Sequence, residues 1–102
     1  MFMISYNITT KVTWDNVDEW IDWQIEEHIP EVMATDLFDD YKMFRLLEEE
    51  EDGATFTIQY FTSIKDRYDQ YISQFSKILR DKAFKRWGNK FISHRTLMEL
   101  VD

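Results

Sequence analysis

No cysteine occurs in the sequence. That excludes disulfides, thiolate metal sites and cysteine nucleophiles, and it fits the reducing cytoplasm in which we expect the protein. One proline and two glycines among 102 residues leave little material for long loops or disordered linkers. No apolar run approaches membrane-spanning length. The N-terminus lacks the basic, apolar and small-residue succession of a secretion signal, so no membrane association is expected. Positive charge is also scarce: 12 Lys and Arg stand against 20 Asp and Glu, a net charge of −8. Nucleic acid, whose phosphates require a basic footprint, is therefore not an expected partner. No glycine-rich phosphate loop, nucleophile elbow or zinc signature appears, and neither a metal nor a cofactor is expected.

What the chain has instead is aromatic residues: eight Phe, five Tyr and four Trp. A chain of this length forms one domain, residues 1–102, and buries roughly two-thirds of its unfolded surface. That many rings bring more apolar area than one thin core hides, which points to an interface. The charge is uneven. Lys77 to Arg95 holds seven basic residues and one acid, a local +6, so the remainder carries −14 of the net −8. A solvated helix face balanced by acids elsewhere accounts for this, with a docking site for an acidic partner as the alternative.

Three segments alternate with a period of two, which places successive side chains on opposite faces of a sheet. Ile4, Tyr6 and Ile8 alternate with Ser5, Asn7 and Thr9; Phe56, Ile58 and Tyr60 with Thr55, Thr57 and Gln59; and Ile92, His94, Thr96, Met98 and Leu100 with Ser93, Arg95, Leu97 and Glu99. The spacing predicts strands over Met3–Val12, Tyr41–Glu49, Ala54–Phe61 and Phe91–Val101. Glu50 to Gly53 is predicted as a hairpin turn in which Gly53 supplies free dihedrals. A first helix is expected after a cap at Asp15 or Asn16, with the stripe Val17, Trp20, Ile21, Ile25, His28 and Val32, ending or kinking near Ile29 because of Pro30. A second is expected from a Ser63 cap with Asp66, with the stripe Ile64, Tyr68, Tyr71, Ile72, Phe75, Ile78 and Leu79, a bend near Arg80 to Ala83 and a stop at Gly88.

The order β-α-β-β-α-β predicts an α+β, ferredoxin-like fold with a four-stranded antiparallel sheet. Right-handed crossovers put both helices on one face. Nothing in the chain is left to cover the other face, where the pattern places Ser5, Asn7, Thr9, Arg45, Thr57, Gln59, Ser93, Arg95 and Leu97. Amides, hydroxyls and arginines suit a semi-enclosed space, so a face-to-face homodimer is expected.

The segments Tyr6-Asn7-Ile8-Thr9, Trp20-Ile21-Asp22-Trp23, His28-Ile29-Pro30-Glu31-Val32-Met33-Ala34-Thr35, Arg45-Leu46-Leu47, Ile58-Gln59-Tyr60-Phe61 and Arg95-Thr96-Leu97 resemble a small bacterial domain-of-unknown-function family (number 4286). That family is placed among the dimeric α/β barrels. The resemblance spans nearly the whole chain. It implies two ferredoxin-like protomers whose sheets close into one barrel, and it brings no established activity. Asp36 stands where the family pattern has glycine, and His94 where it has an aromatic.

Candidate site residues follow from the uncovered face. Asn7, Arg45, Gln59 and Arg95 are the candidate ligand-binding set. The second strand of one copy would meet the fourth of the other, bringing Arg45 toward Arg95 and calling for an anion between them. Glu99, four residues beyond Arg95 on the same face, offers an ion pair across the interface instead. Trp23, Leu97 and Glu99 are candidate dimer-interface residues. His28 is either a core histidine or the candidate general base of a catalytic site. His94 is expected on the helix side, facing His28 through the core. Glu48 to Asp52 is expected as a solvated hairpin tip rather than a calcium loop. The leading functional expectation is a homodimer binding a small, possibly anionic organic molecule in the barrel interior. The alternatives are a cofactor-free oxygenase or isomerase using His28, of the kind the dimeric-barrel superfamily includes, and a structural dimer with a filled interior.

Overall fold

Period-two alternation in the central segments builds the sheet. In the computed structural model, which describes residues 2–48 and 51–102, strands β1 (Ile4–Thr13), β2 (Asp40–Arg45), β3 (Gly53–Thr62) and β4 (Phe91–Glu99) form one antiparallel sheet in the order β2-β3-β1-β4. Two helical rods cross one face. The first, α1, covers residues 17–33 and the second, α2, residues 65–87. The predicted β-α-β-β-α-β order and ferredoxin-like architecture are the ones observed. No helix among the described residues is long and apolar enough to cross a membrane.

The core lies between sheet and helices. Trp20 packs on Phe56 at 5.0 Å, and Tyr6, Phe38, Tyr60 and Tyr71 form an aromatic cluster with centroids 5.0–6.1 Å apart. Register assigns each strand residue to a face. Tyr6, Ile8, Thr10 and Val12 of β1 stand opposite Tyr60, Ile58, Phe56 and Ala54 of β3 or their immediate neighbours, and these look toward the helices.

The same register overturns the expected facing of both edge strands. On β4, Leu97, Arg95, Ser93 and Phe91 pair with Tyr6, Ile8, Thr10 and Val12, so they lie on the helix side. Ile92, His94, Thr96 and Met98 pair with Lys11, Thr9, Asn7 and Ser5 on the open side. On β2, Arg45, Met43 and Tyr41 pair with Phe56, Ile58 and Tyr60 and are likewise on the helix side. Arg45 and Arg95 therefore do not face the uncovered surface. They also stand on opposite edges of the sheet, about 14 Å apart by strand spacing.

Each rod contains one π turn, Gln24–His28 in α1 and Ile72–Ser76 in α2. A π turn closes its hydrogen bond one residue later than an α turn. The buried series accordingly runs Trp20, Gln24, Ile29, Val32 in α1 and Tyr71, Ser76, Leu79 in α2, with a step of five across each π turn. Ile25, Ile72 and Ile78, expected on the buried stripes, are 53%, 40% and 61% exposed. Pro30 does not end α1: the run passes through the π turn Gln24–His28 into the α-helical Ile29–Met33, where Pro30 sits in the first turn. The π turn just ahead of it shifts the carbonyls that its ring would strike and absorbs its missing N–H. In α2 the irregularity lies at the π turn, not at Arg80 to Ala83, which is regular α-helix.

The caps differ as well. Asn16 makes no capping bond and donates to Thr13 Oγ1 at 2.7 Å instead. Ser63 does not cap α2, whose first residue is Lys65; the Ser63 amide donates to Asp39. Gly88 stops α2 as expected, at φ +61°, with its amide on the Phe84 carbonyl. Gly53 has ordinary strand dihedrals and serves another purpose: a Cβ there would meet the Val12 carbonyl oxygen at 2.4 Å. Asp36 adopts φ +61° where the chain leaves α1, the left-handed conformation that a glycine takes without strain. Of the expected hairpin tip, Glu49 and Glu50 lie outside the described residues.

Candidate functional site

The two π turns face one another over the middle of the sheet, and between them is a cavity of about 80 Å³. Its floor is Tyr6, Ile8, Thr10, Ile58 and Tyr60. Gln24 and His28 enter from the α1 π turn; Ser76 enters from the α2 π turn and Tyr71 from just before it. Both turns thus bring polar side chains, Gln24, His28 and Ser76, into this layer. Arg80 of α2 and Arg95 of β4 line the cavity and are exposed overall, which places them at its rim.

Three features of this cavity bear on chemistry. First, neither Arg80 nor Arg95 has an ion pair among the described residues, although most other described cations near the helices do: Lys82 with Glu31 at 2.6 Å, Arg67 with Asp39 at 3.0 Å and Arg86 with Glu19 at 3.7 Å. Second, burial lowers the pKa of His28 from 6.5 to about 4, with Lys82 and Arg95 adding to the effect against the opposing charge of Glu31. The imidazole is neutral at pH 7, stacked on Trp23 at 4.7 Å. Third, Gln24 Oε1 and Tyr60 Oη are buried without a hydrogen-bond partner among the described residues. Burial likewise raises the Tyr60 and Tyr71 hydroxyl pKa values, so both are protonated donors. Thr10 and Ser93, also in the lining, bond to each other at 2.8 Å.

The sequence-predicted residues divide between two faces. Arg95, His28 and Trp23 come together at this cavity. Trp23 is turned inward, between His28 and the edge of Trp87 at 5.8 Å, rather than outward as a contact residue. Arg45 is on the helix side but does not line the cavity. Its guanidinium lies 5.7 Å from the Phe56 ring and 6.0 Å from Trp14, covering one end of the core. Leu97 and Glu99 are exposed on the helix-side face of β4. Asn7 and Gln59 lie on the open face, directly opposite each other in register. His94 is also on the open face, so the sheet separates it from His28 and the expected approach of the two histidines does not occur.

The open face has a polar centre and an apolar rim. Ser5 donates to Asn7 Oδ1, the Asn7 amide donates to Thr96 at 3.3 Å, and Thr9 bonds to Thr57 at 3.0 Å. Phe44, Ile92 and Met98 are exposed on the two edge strands. A hollow of about 260 Å³, bounded by Met3, Ser5, Gln59, Phe61, Met98 and Glu99, lies at one end. Its single charged neighbour is an acid, which disfavours an anion there. Sequence reasoning missed Gln24, Tyr71, Ser76 and Arg80. For Gln24 the signal that could have exposed it is a polar residue four positions after a buried tryptophan, which an amphipathic stripe passes over. Among the described residues, no three His, Asp or Glu side chains converge as metal ligands.

A sequence profile described as Domain of unknown function (DUF4286) matches residues 3–101. No curated protein matches the sequence. Solved structures share the fold at low identity. A dimeric ferredoxin-like protein from an uncultured marine organism superposes with TM-score 0.75 at 11% identity, covering 100% of this chain and 98% of the other. SnoaB, a cofactor-independent oxygenase from Streptomyces nogalater, gives 0.66 at 11% identity, covering 98% and 94%. An ethyl tert-butyl ether d (ethd) family protein from Bacillus halodurans gives 0.65 at 14%, covering 97% and 98%. Likeness at these identities establishes architecture and nothing finer.

Proposed function

The chain belongs to the DUF4286 family of unknown function, and from that premise we propose that it forms a homodimer and binds a small organic anion in the cavity between its sheet and its helices. The observation that carries this reading is the convergence of Arg80 and Arg95, both without an acidic partner among the described residues, on a cavity walled by rings. Two guanidiniums at the rim of one small cavity favour an anion between them. Protonated Tyr71 and neutral His28 add a donor and an acceptor at the same place. The open face, with its apolar rim of Phe44, Ile92 and Met98, suits a second copy, and a dimeric ferredoxin-like protein of the same architecture supports that arrangement.

Binding is favoured over catalysis by the state of His28. A general base works best with a pKa near the operating pH, and a histidine held at about 4 is a hydrogen-bond acceptor rather than a base at neutral pH. A structural dimer without ligand leaves the cavity and its two arginines, which have no ion pair among the described residues, without a purpose. The test is a thermal-shift screen of short carboxylates against the wild type and Arg80→Gln/Arg95→Gln. The wild type is expected to be stabilised by at least one carboxylate, with affinity falling about tenfold or more in the double variant. Equal stabilisation of both proteins, or of neither, would contradict the reading.

A further inference from the structure

We propose that the anion taken by this cavity is a compact hydroxycarboxylate of about three to five carbons, its carboxylate on Arg80 and Arg95 and its hydroxyl donated to the amide oxygen of Gln24. The inference rests on the anion reading above and adds the donor and the size. Gln24 is 6% exposed, lines the cavity, and its Oε1 has no hydrogen-bond partner among the described residues. Leaving a buried acceptor unsatisfied costs about 1–3 kcal/mol. Gln24 follows buried Trp20 by one helical turn and opens the π turn, and the neighbouring Ile25 is 53% exposed. A fold that exposes an isoleucine and buries an unpaired amide carbonyl in a cavity is built around something that donates to that carbonyl. Tyr60 Oη, fully buried and also without a partner in the same lining, supplies a second polar contact.

The donor is a hydroxyl rather than an ammonium. The ionisable lining residues are Arg80, Arg95, His28, Tyr6, Tyr60 and Tyr71, and no acid is among them. A ligand ammonium would meet two cations in the lining, and the acid that acts on His28 from outside it, Glu31, is already paired with Lys82, which disfavours amino acids. Size follows from volume. About 80 Å³ lies well below the roughly 300–1,000 Å³ of drug-sized sites, and it accommodates a short chain rather than a substituted ring.

Calorimetric titration of the full-length protein with lactate, propionate, lactamide, alanine and mandelate separates these elements. Lactate is expected to bind. Propionate, lacking the hydroxyl, is expected to bind about tenfold more weakly, and lactamide, alanine and mandelate weakly or not at all. In Gln24→Met, lactate and propionate should bind alike. If that variant does not fold, Gln24→Glu, which sets a carboxylate against the anion, should abolish lactate binding while leaving the far-ultraviolet dichroism unchanged. Propionate binding as tightly as lactate in the wild type overturns the hydroxyl contact but leaves the anion reading standing. Alanine or mandelate binding as tightly as lactate overturns the exclusion of ammonium or of larger acids. Failure of every carboxylate to bind overturns both this inference and the reading beneath it.

Discussion

Burial holds the His28 imidazole neutral, with a pKa of about 4 against 6.5 in an open chain. As the pH falls through 6.5 the unfolded chain takes up a proton that the folded protein refuses until about 4. The stability contributed by neutral His28 is therefore complete above pH 6.5 and is lost between 6.5 and 4, a change of about 3 kcal/mol. Urea midpoints at pH 7.5 and 4.5 should converge between wild type and His28→Gln as the pH falls; a constant gap would show that His28 titrates normally. Asp36 gives a second residue-scale test. Its φ of +61° costs a non-glycine residue about 1 kcal/mol, so Asp36→Gly should raise the urea midpoint slightly and Asp36→Val should lower it. Glycine is the residue that the family resemblance placed there, so this position was legible from the sequence.

At the scale of elements, legibility depended on what covers each strand. β1 and β3 are central, one face of each is packed by helices, and their alternation reports burial faithfully. β4 is an edge strand exposed along nearly its whole length, so Ile92, His94, Thr96 and Met98 alternate with Ser93, Arg95 and Leu97 without either set being a core set. Register with β1 decides its facing, and register is long-range information that local alternation does not carry. β2 is short and mostly exposed, and Arg45 was misplaced for the same reason. The helices misled differently: the α2 π turn lengthens the buried step from Tyr71 to Ser76, so a stripe drawn at helical spacing passed over Ser76, while Gln24, one regular turn after Trp20, was passed over because it is polar and Ile25 beside it is apolar. Half of the candidate site was visible, through His28 and Arg95; Gln24, Tyr71, Ser76 and Arg80 were not singled out. The close approach at Gly53 belongs to this scale too. Gly53→Ala drives a Cβ against the Val12 carbonyl at 2.4 Å and should cost about 2–3 kcal/mol in urea unfolding, without changing which strands pair. A cost near zero would mean that the β1–β3 ladder yields there.

For the molecule as a whole, the sheet presents two surfaces suited to different occupants. The helix side holds rings and a neutral histidine around a small cavity whose rim carries two arginines without an ion pair among the described residues. The open side presents a hydrogen-bonded polar centre framed by exposed apolar residues on both edge strands. The proposed dimer uses the second surface, so Phe44→Lys/Ile92→Lys should sediment at the monomer mass of 12.5 kDa while the wild type sediments at twice that value. A wild type at 12.5 kDa would remove the dimer from the account. The division of the two faces is the central claim, and methyl-resolved NMR during a lactate titration tests it most directly. The account predicts saturable shifts at Ile8, Ile58 and Leu79, which line the cavity, with Ile92 and Met98 on the open face unmoved. Shifts at Ile92 and Met98 with Ile8, Ile58 and Leu79 unmoved would contradict it.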